Sequence, residues 1–155
     1  MVTGCTGFIG SHIVLALTKT GYNVTGTVEA GRGASGPANV TVHNVDVGTG
    51  EGLAVAFTGA DAVIHLAARN HVLRERSKHP LSEYRKVNVE GTRNVLWAAS
   101  AAGAKVFLHM SSIKAMGEGS ETVLDEGSEC QPSTPYGISK LAHGYFTSYC
   151  SHPFS

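Results

Sequence analysis

Apolar residues occur along this chain in short blocks, separated by longer stretches in which they recur every three or four positions. Short, largely apolar blocks bounded by turn residues read as strands buried on both faces. They fall at 2–3 (a stub), 22–28, 40–45, 62–66 and 106–110. The helical spacing covers 11–20, with Ile13, Val14 and Leu17 on one side and Gly21 as a stop. It returns at 51–58, with Leu53 and Phe57 one turn apart, and at 81–102, with Val87, Val95 and Leu96 inward and Gly103 after the end. A last helix is expected over 136–149. Residues 30–37 and 69–79 read as loops by composition, and 111–135 as a long loop of the kind that usually carries function. Strand and helix alternate, so the fold class is α/β: a doubly wound parallel sheet with right-handed crossovers and strand order 3-2-1-4-5.

A chain of 155 residues makes one domain. Lys plus Arg balances Asp plus Glu, 12 against 12. That argues against nucleic acid or an anionic membrane surface as partner, since either calls for a basic excess. Cys5, Cys130 and Cys150 are odd in number and form no CxxC pair, so neither a disulfide framework nor a bound metal is expected. With no signal-like start and no apolar run long enough for a membrane span, a cytoplasmic location is expected. Glycine changes the picture most. It supplies 19 residues, about 12% against a usual level of roughly 7%.

Three of these glycines, Gly4, Gly7 and Gly10, are spaced GxxGxxG between the first strand and the first helix. A dinucleotide pyrophosphate is held by backbone N–H groups at a helix N-terminus, where any Cβ would block its approach. A glycine-rich chain makes such spacings by chance, and the placement between strand and helix is what gives this one weight. Glu29 stands at the end of the second strand, where an acid bonds the adenine ribose and repels the 2′-phosphate of NADP. Arg32 would pull the other way, so NAD is the expected cofactor and NADP the alternative. Asp46, after the third strand, either caps the next turn or bonds adenine, and its position does not separate the two.

Tyr136 and Lys140 are four apart on the last helix, on one face. A free tyrosine titrates near 10, too high for a base at neutral pH, and an ammonium one turn away favours its phenolate. Such a pair moves a proton to or from a substrate hydroxyl while a nicotinamide takes the hydride, and Lys140 also reaches the nicotinamide ribose. Ser111 and Ser112 leave the fifth strand at the carboxyl edge of the sheet, where ligands bind in open α/β folds.

In order, the chain carries Val2-Thr3-Gly4-Cys5-Thr6-Gly7-Phe8-Ile9-Gly10, Asp61-Ala62-Val63-Ile64-His65-Leu66-Ala67-Ala68, Val87-Asn88-Val89-Glu90-Gly91-Thr92, Met110-Ser111-Ser112 and Pro135-Tyr136-Gly137-Ile138-Ser139-Lys140. Together these resemble the short-chain dehydrogenase/reductase superfamily, in its extended branch, the NAD-dependent epimerase/dehydratase family. Residues 65–69 and 111–114 are similar to bacterial nucleotide-sugar 4-epimerases. The resemblance implies a Rossmann fold in which Gly4, Gly7, Phe8, Ile9 and Gly10 cradle the pyrophosphate. It implies that Asp46 and Val47 meet adenine, that Leu66, Ala67 and Ala68 line the cofactor, and that Asn88 sits near it. Ser112, Tyr136 and Lys140 would be the catalytic set. The implied reaction is oxidation at sugar C4 by NAD, rotation of the keto sugar, and return of hydride to the other face. Ile113-Lys114 stand where the family's dehydratases place an Asp-Glu pair, which disfavours dehydration.

Two departures from the family pattern stand out. The first strand is short, and the last dozen residues do not read like the family. The expectation is therefore an incomplete dinucleotide-binding domain over 1–150 with a tail at 151–155 and no substrate domain. Three functions follow: a UDP-hexose 4-epimerase seen mainly as its cofactor domain, an NAD-binding fragment without turnover, or a family reductase acting on a non-sugar carbonyl. The partners expected are a nucleotide sugar and, through the 81–102 and 136–149 helices, a second copy in a homodimer.

Overall fold

Two residues make the central strand. In a computed structural model that describes residues 1–31, 40–70 and 77–149, β1 (Val2–Thr3) pairs in parallel with β2 (Thr25–Glu29) and with β4 (Ala62–His65). Met1 lengthens the ladder: its carbonyl accepts from the Ile64 N–H at 2.8 Å, and its amino group donates to the Ala62 carbonyl at 2.8 Å. With β3 (Thr41–Val45) outside β2 and β5 (Val106–His109) outside β4, the sheet is all parallel in the order β3-β2-β1-β4-β5, the doubly wound order expected.

The chain steps from β1 to β2 in one direction and from β3 to β4 to β5 in the other. Right-handed crossovers therefore put α1 (Phe8–Lys19) on one face, and α2 (Leu53–Ala56) and α4 (Gly91–Ala101) on the opposite face. The core divides accordingly. Val2, Cys5, Val14, Val24 and Val28 pack together under α1. Phe57, Val63, Val95, Ala99 and their neighbours pack under α2 and α4.

Several boundaries differ from the periodicity. Helix α1 starts at Phe8 rather than at 11, because the glycine turn feeds straight into it with Gly7 as N-cap. Tyr22 lies outside β2 and is exposed, since Gly21 closes α1 and the Tyr22 N–H still bonds back to the Leu17 carbonyl. The long central helix is not uniform. It runs as α3 (Pro80–Arg85), a π-helical turn (Lys86–Glu90) and α4. Val95 and Leu96 are buried as expected, whereas Val87, inside the π turn, is only half-buried. The strands are not all covered either: Val106 and Leu108 are exposed on β5, the edge strand. The 111–135 loop contains one short 3-10 turn, Ile113–Ala115, and α5 (Pro135–Tyr149) follows it.

Close approach decides the junction of β1, β2 and α1. Cys5 is fully buried, and its N–H donates to the Thr27 carbonyl at 3.1 Å. A Cβ on Gly26 would collide with the Cys5 sulfur and stand 2.8 Å from the Cys5 Cβ. Gly26→Ala is therefore expected to destabilise the chain by about 1–3 kcal/mol, the usual cost of overpacking. Removing the sulfur should recover part of that loss, so denaturant unfolding of Gly26→Ala, Cys5→Ala and the double variant should show a non-additive pair.

Candidate active site

The turn after β1 is shaped by where side chains cannot be. Gly4 takes φ 65°, and a Cβ there would press to 3.1 Å on the backbone of Ala67. At Gly10 a Cβ would collide with the Gly4 carbonyl oxygen and lie 2.9 Å from the Cys5 Cα. Gly7 has an ordinary φ of −70°, and its nearest neighbour, the Gly4 carbonyl, would be 3.3 Å from a Cβ. No side chain caps α1, whose N-terminus opens to solvent beside exposed Phe8 and Ile9. The result is a bare backbone concavity at a helix N-terminus, the geometry that receives a phosphate. Leu66 and Ala67 form its far wall, at the end of β4.

The acidic residues lie at the same sheet edge. Glu29 ends β2 and is exposed. Asp46 performs the capping role: its Oδ1 accepts from the N–H groups of Gly48 at 2.8 Å and Thr49 at 3.2 Å. Val47, half-buried, packs against Gly91 at the start of α4. Arg32 lies outside the described residues.

Across the strand-order reversal, β5 delivers Met110, Ser111 and Ser112. Ser112 is extended (φ −152°, ψ 145°) and its Oγ accepts from the Lys114 N–H at 3.2 Å, a bond that leaves the hydroxyl proton unspent. Lys140 reaches this edge from α5. It is 4% exposed, and its Nζ donates to the Met110 carbonyl at 2.8 Å. Burial lowers its pKa from 10.5 to about 8, so at neutral pH it is still mostly an ammonium. Tyr136, one turn earlier, is half-buried with its ring edge-on to Tyr84, centroids 6.0 Å apart.

Asn88 does more than lie nearby. From the π turn its Oδ1 accepts from the Arg69 N–H at 2.8 Å, and its Nδ2 donates to the Arg69 carbonyl and to the Ser139 Oγ. Ser139 in turn donates to the Tyr136 carbonyl at 2.7 Å. Thus Asn88 ties the segment after Ala68 to the helix that carries Tyr136 and Lys140.

The motifs alone do not point to Tyr84, Thr134 or Glu118. Tyr84 is buried, donates to the Asn70 carbonyl at 3.1 Å, and lies under the Arg69 guanidinium, 5.2 Å from the ring centroid. Thr134 caps α5 through the Gly137 N–H at 3.1 Å and donates to Glu118 at 2.7 Å. Lys114 donates to the other Glu118 oxygen at 2.8 Å. The bond from Lys114, then that from Thr134, holds the Glu118 carboxyl below its ordinary range. A Thr directly before Pro135 is a helix-cap signal available in the sequence. Nothing in the spacing marks Glu118.

Comparison with known proteins agrees with this architecture. The model of the NAD dependent epimerase/dehydratase family matches residues 1–151, past the last motif, which ends at Lys140, and through most of the last dozen residues, contrary to the expectation that these fall outside the family pattern. The chain is 35% identical over 143 residues to a UDP-glucose 4-epimerase of Vibrio cholerae, covering 90% of this chain and 43% of that protein. A short-chain dehydrogenase/reductase superfamily protein of Agrobacterium tumefaciens with bound NAD superposes with TM-score 0.82 at 31% identity, covering 97% of this chain and 44% of its own. A Thermus thermophilus UDP-glucose 4-epimerase in complex with NAD gives TM-score 0.80 at 31% identity, covering 96% and 49%. The chain thus spans less than half the length of these relatives.

The buried lysine makes stability depend on pH in a defined direction. Below about pH 8 the folded and unfolded chains both hold the Lys140 proton, and the fold carries the full cost of a desolvated charge. Between about 8 and 10.5 the unfolded chain holds a proton that the folded one has released, so this residue's contribution to stability rises with pH. Denaturant unfolding across that window should show the rise in the parent chain and a flatter profile in Lys140→Met.

Proposed function

We propose, for a chain that belongs to the NAD-dependent epimerase/dehydratase family, that it binds NAD across the strand-order reversal and forms the cofactor half of a UDP-hexose 4-epimerase. The observation that carries this reading is the Lys140–Met110 hydrogen bond. It docks the Tyr-Lys helix on the strand that presents Ser112, at the same carboxyl edge as the glycine concavity. The residues fit the cofactor: a surface without Cβ atoms at Gly4, Gly7 and Gly10, an uncapped helix N-terminus, and an exposed carboxylate at Glu29. When bound, NAD supplies a reversible hydride acceptor.

On this reading Phe8 and Ile9 offer first-turn N–H groups to the pyrophosphate. Glu29 bonds the adenine ribose and favours NAD over NADP. Val47 and Asp46 border adenine, and Leu66, Ala67 and Ala68 border the nicotinamide side. Tyr136 takes the proton of the sugar C4 hydroxyl as that carbon is oxidised, and returns it after the keto sugar has turned. The Ser112 hydroxyl holds the reacting oxygen. Lys140, still charged at neutral pH, holds its ammonium at the Met110 carbonyl and offers it to the nicotinamide ribose. Relatives that bind UDP-glucose or UDP-glucuronic acid with NAD support a nucleotide sugar as the substrate class.

Calorimetric titration with NAD tests the cofactor assignment. Gly7→Val is the informative variant, because φ at this position suits any residue and a Cβ would press on one neighbour, the Gly4 carbonyl at 3.3 Å, which must give by a few tenths of an ångström; circular dichroism checks that the variant is folded. Its branched side chain would stand in the phosphate position, and binding should be lost. Unchanged affinity in folded Gly7→Val would refute the assignment. In a chain joined to a relative's C-terminal half and shown to convert UDP-galactose to UDP-glucose, Tyr136→Phe should keep NAD binding and lose about 10²–10⁴ in rate, the scale of a general acid–base. Consumption of NADH with a simple carbonyl, and no sugar conversion, would instead identify a reductase.

A further inference from the structure

Among the described residues seven polar or charged side chains are buried, and five of them are joined in one hydrogen-bonded line. It starts in β1. The Thr3 Oγ1 lies 3.1 Å from the N–H groups of both Leu66 and Ala67, and 2.7 Å from His65 Nδ1. His65 Nε2 lies 3.1 Å from the Thr92 Oγ1, which in turn lies 2.7 Å from the Asn88 carbonyl. The Asn88 side chain continues to Ser139 at 2.9 Å, and Ser139 to the Tyr136 carbonyl.

The direction of every bond follows from one end. A carbonyl only accepts, so Thr92 must donate its proton to Asn88. The Thr92 oxygen is then left to accept, and the proton it accepts is on His65 Nε2. In a neutral ring Nδ1 is an acceptor, which takes the Thr3 proton and leaves the Thr3 oxygen to receive Leu66 and Ala67. A proton on Nδ1 would face an oxygen already accepting twice. From β5, the rings of His109 and Phe107 pack beside His65, with centroids 5.2 and 6.1 Å away.

Each end of this line touches a different part of the candidate site. Leu66 and Ala67 form the wall against which Gly4 presses. Ser139 lies between Tyr136 and Lys140. The Thr92 bond runs from α4 back into the π turn at Asn88, and the Gly91 N–H that closes the turn reaches back to the Lys86 carbonyl. Side-chain bonding to a carbonyl four residues back bends helices, and π turns gather at functional sites. We infer that His65, fixed as its Nε2–H tautomer, is a positioning residue that holds the Tyr136–Lys140 turn in register with the glycine concavity. This depends on the proposed function only in regarding that turn as catalytic.

The test uses the free chain, without nucleotide, so it succeeds or fails separately from NAD binding. Long-range proton–nitrogen spectra of the labelled parent should show His65 protonated at Nε2 and accepting at Nδ1. Thr92→Val removes the linking hydroxyl and keeps the shape. Amide exchange at residues 138–142 should rise roughly tenfold or more, the scale of one buried polar group left unsatisfied. Amides of the β2–β3 ladder should change by less than about twofold if the effect is local. Thr92→Ser should restore the parent rates. Thr3→Val, acting from the opposite end, should reach the same amides, and Thr3→Ser should spare them. Exchange that rises uniformly over the sheet, or fails to change at 138–142, would overturn the inference. If the valine variants do not fold, the parent tautomer decides, and a proton on Nδ1 overturns it.

Discussion

The hydroxyl of Thr3 resolves a conflict built into the centre of the sheet. A glycine turn must leave β1 immediately after Thr3, because Gly4 swings away at positive φ to make room for α1. Beyond His65, the register partner of Thr3, the chain runs on beside the turn, and the N–H groups of Leu66 and Ala67 face the Thr3 side chain. A fully buried donor left unpaired would cost about 1–3 kcal/mol, and these two are half-buried. The Thr3 oxygen accepts from both. The main chain thereby gains its sharp turn without orphaning the strand beside it, and the wall of the concavity is held by a side chain at its base.

The attachment of α5 can be ranked by the same physics. Its outer tie, from Lys114 through Glu118 to Thr134, runs between side chains about 35–43% exposed at the ion pair, a setting in which such pairs contribute little. Its inner ties lie deeper: buried Asn88 to buried Ser139, and the buried Lys140 ammonium to the Met110 carbonyl. Bonds to buried partners are costly to leave unmade, so the inner pair decides where the helix sits. The outer pair shapes the loop that returns to it. The same burial that fixes Lys140 also depresses its pKa, so placement and acid–base character arise from one cause.

Sheet order was legible because each β-branched block and each helical stretch answered to a different period, and handedness then left one arrangement. Tyr136 and Lys140 could be singled out as candidates because their types and spacing suit proton transfer, while Ser112 was chosen over Ser111 by the family resemblance. The start of α1 was not, since Phe8 and Ile9 are exposed and break the apolar stripe that marks a helix. The π turn was not legible either: no spacing in 86–90 marks it, and the Thr92 bond to the Asn88 carbonyl beside it is seen only in the structure. His65 read simply as one residue of an apolar block. Its meaning depends on Thr3 and Thr92, which lie 62 and 27 residues away in sequence. Asp46 was left between two roles, and its contacts with Gly48 and Thr49 give it the capping one through Oδ1 without taking up the other oxygen.

The seating of Cys5 has a consequence for the chain's chemistry with oxidants. Its sulfur is enclosed between β2 and the start of α1, and burial pushes its thiol pKa up. Attack on peroxide or on an electrophile requires an accessible thiolate, and the native fold withholds both the access and the charge. Cys130, half-buried on the long loop, has no such enclosure. Oxidative damage at Cys5 therefore requires the β1–α1 junction to open first. Once a sulfinate had formed there, its bulk and charge would prevent the junction from closing again. A transient opening would become a permanent loss of the concavity, so the lifetime of the site under oxidative stress is set by how often the glycine turn breathes.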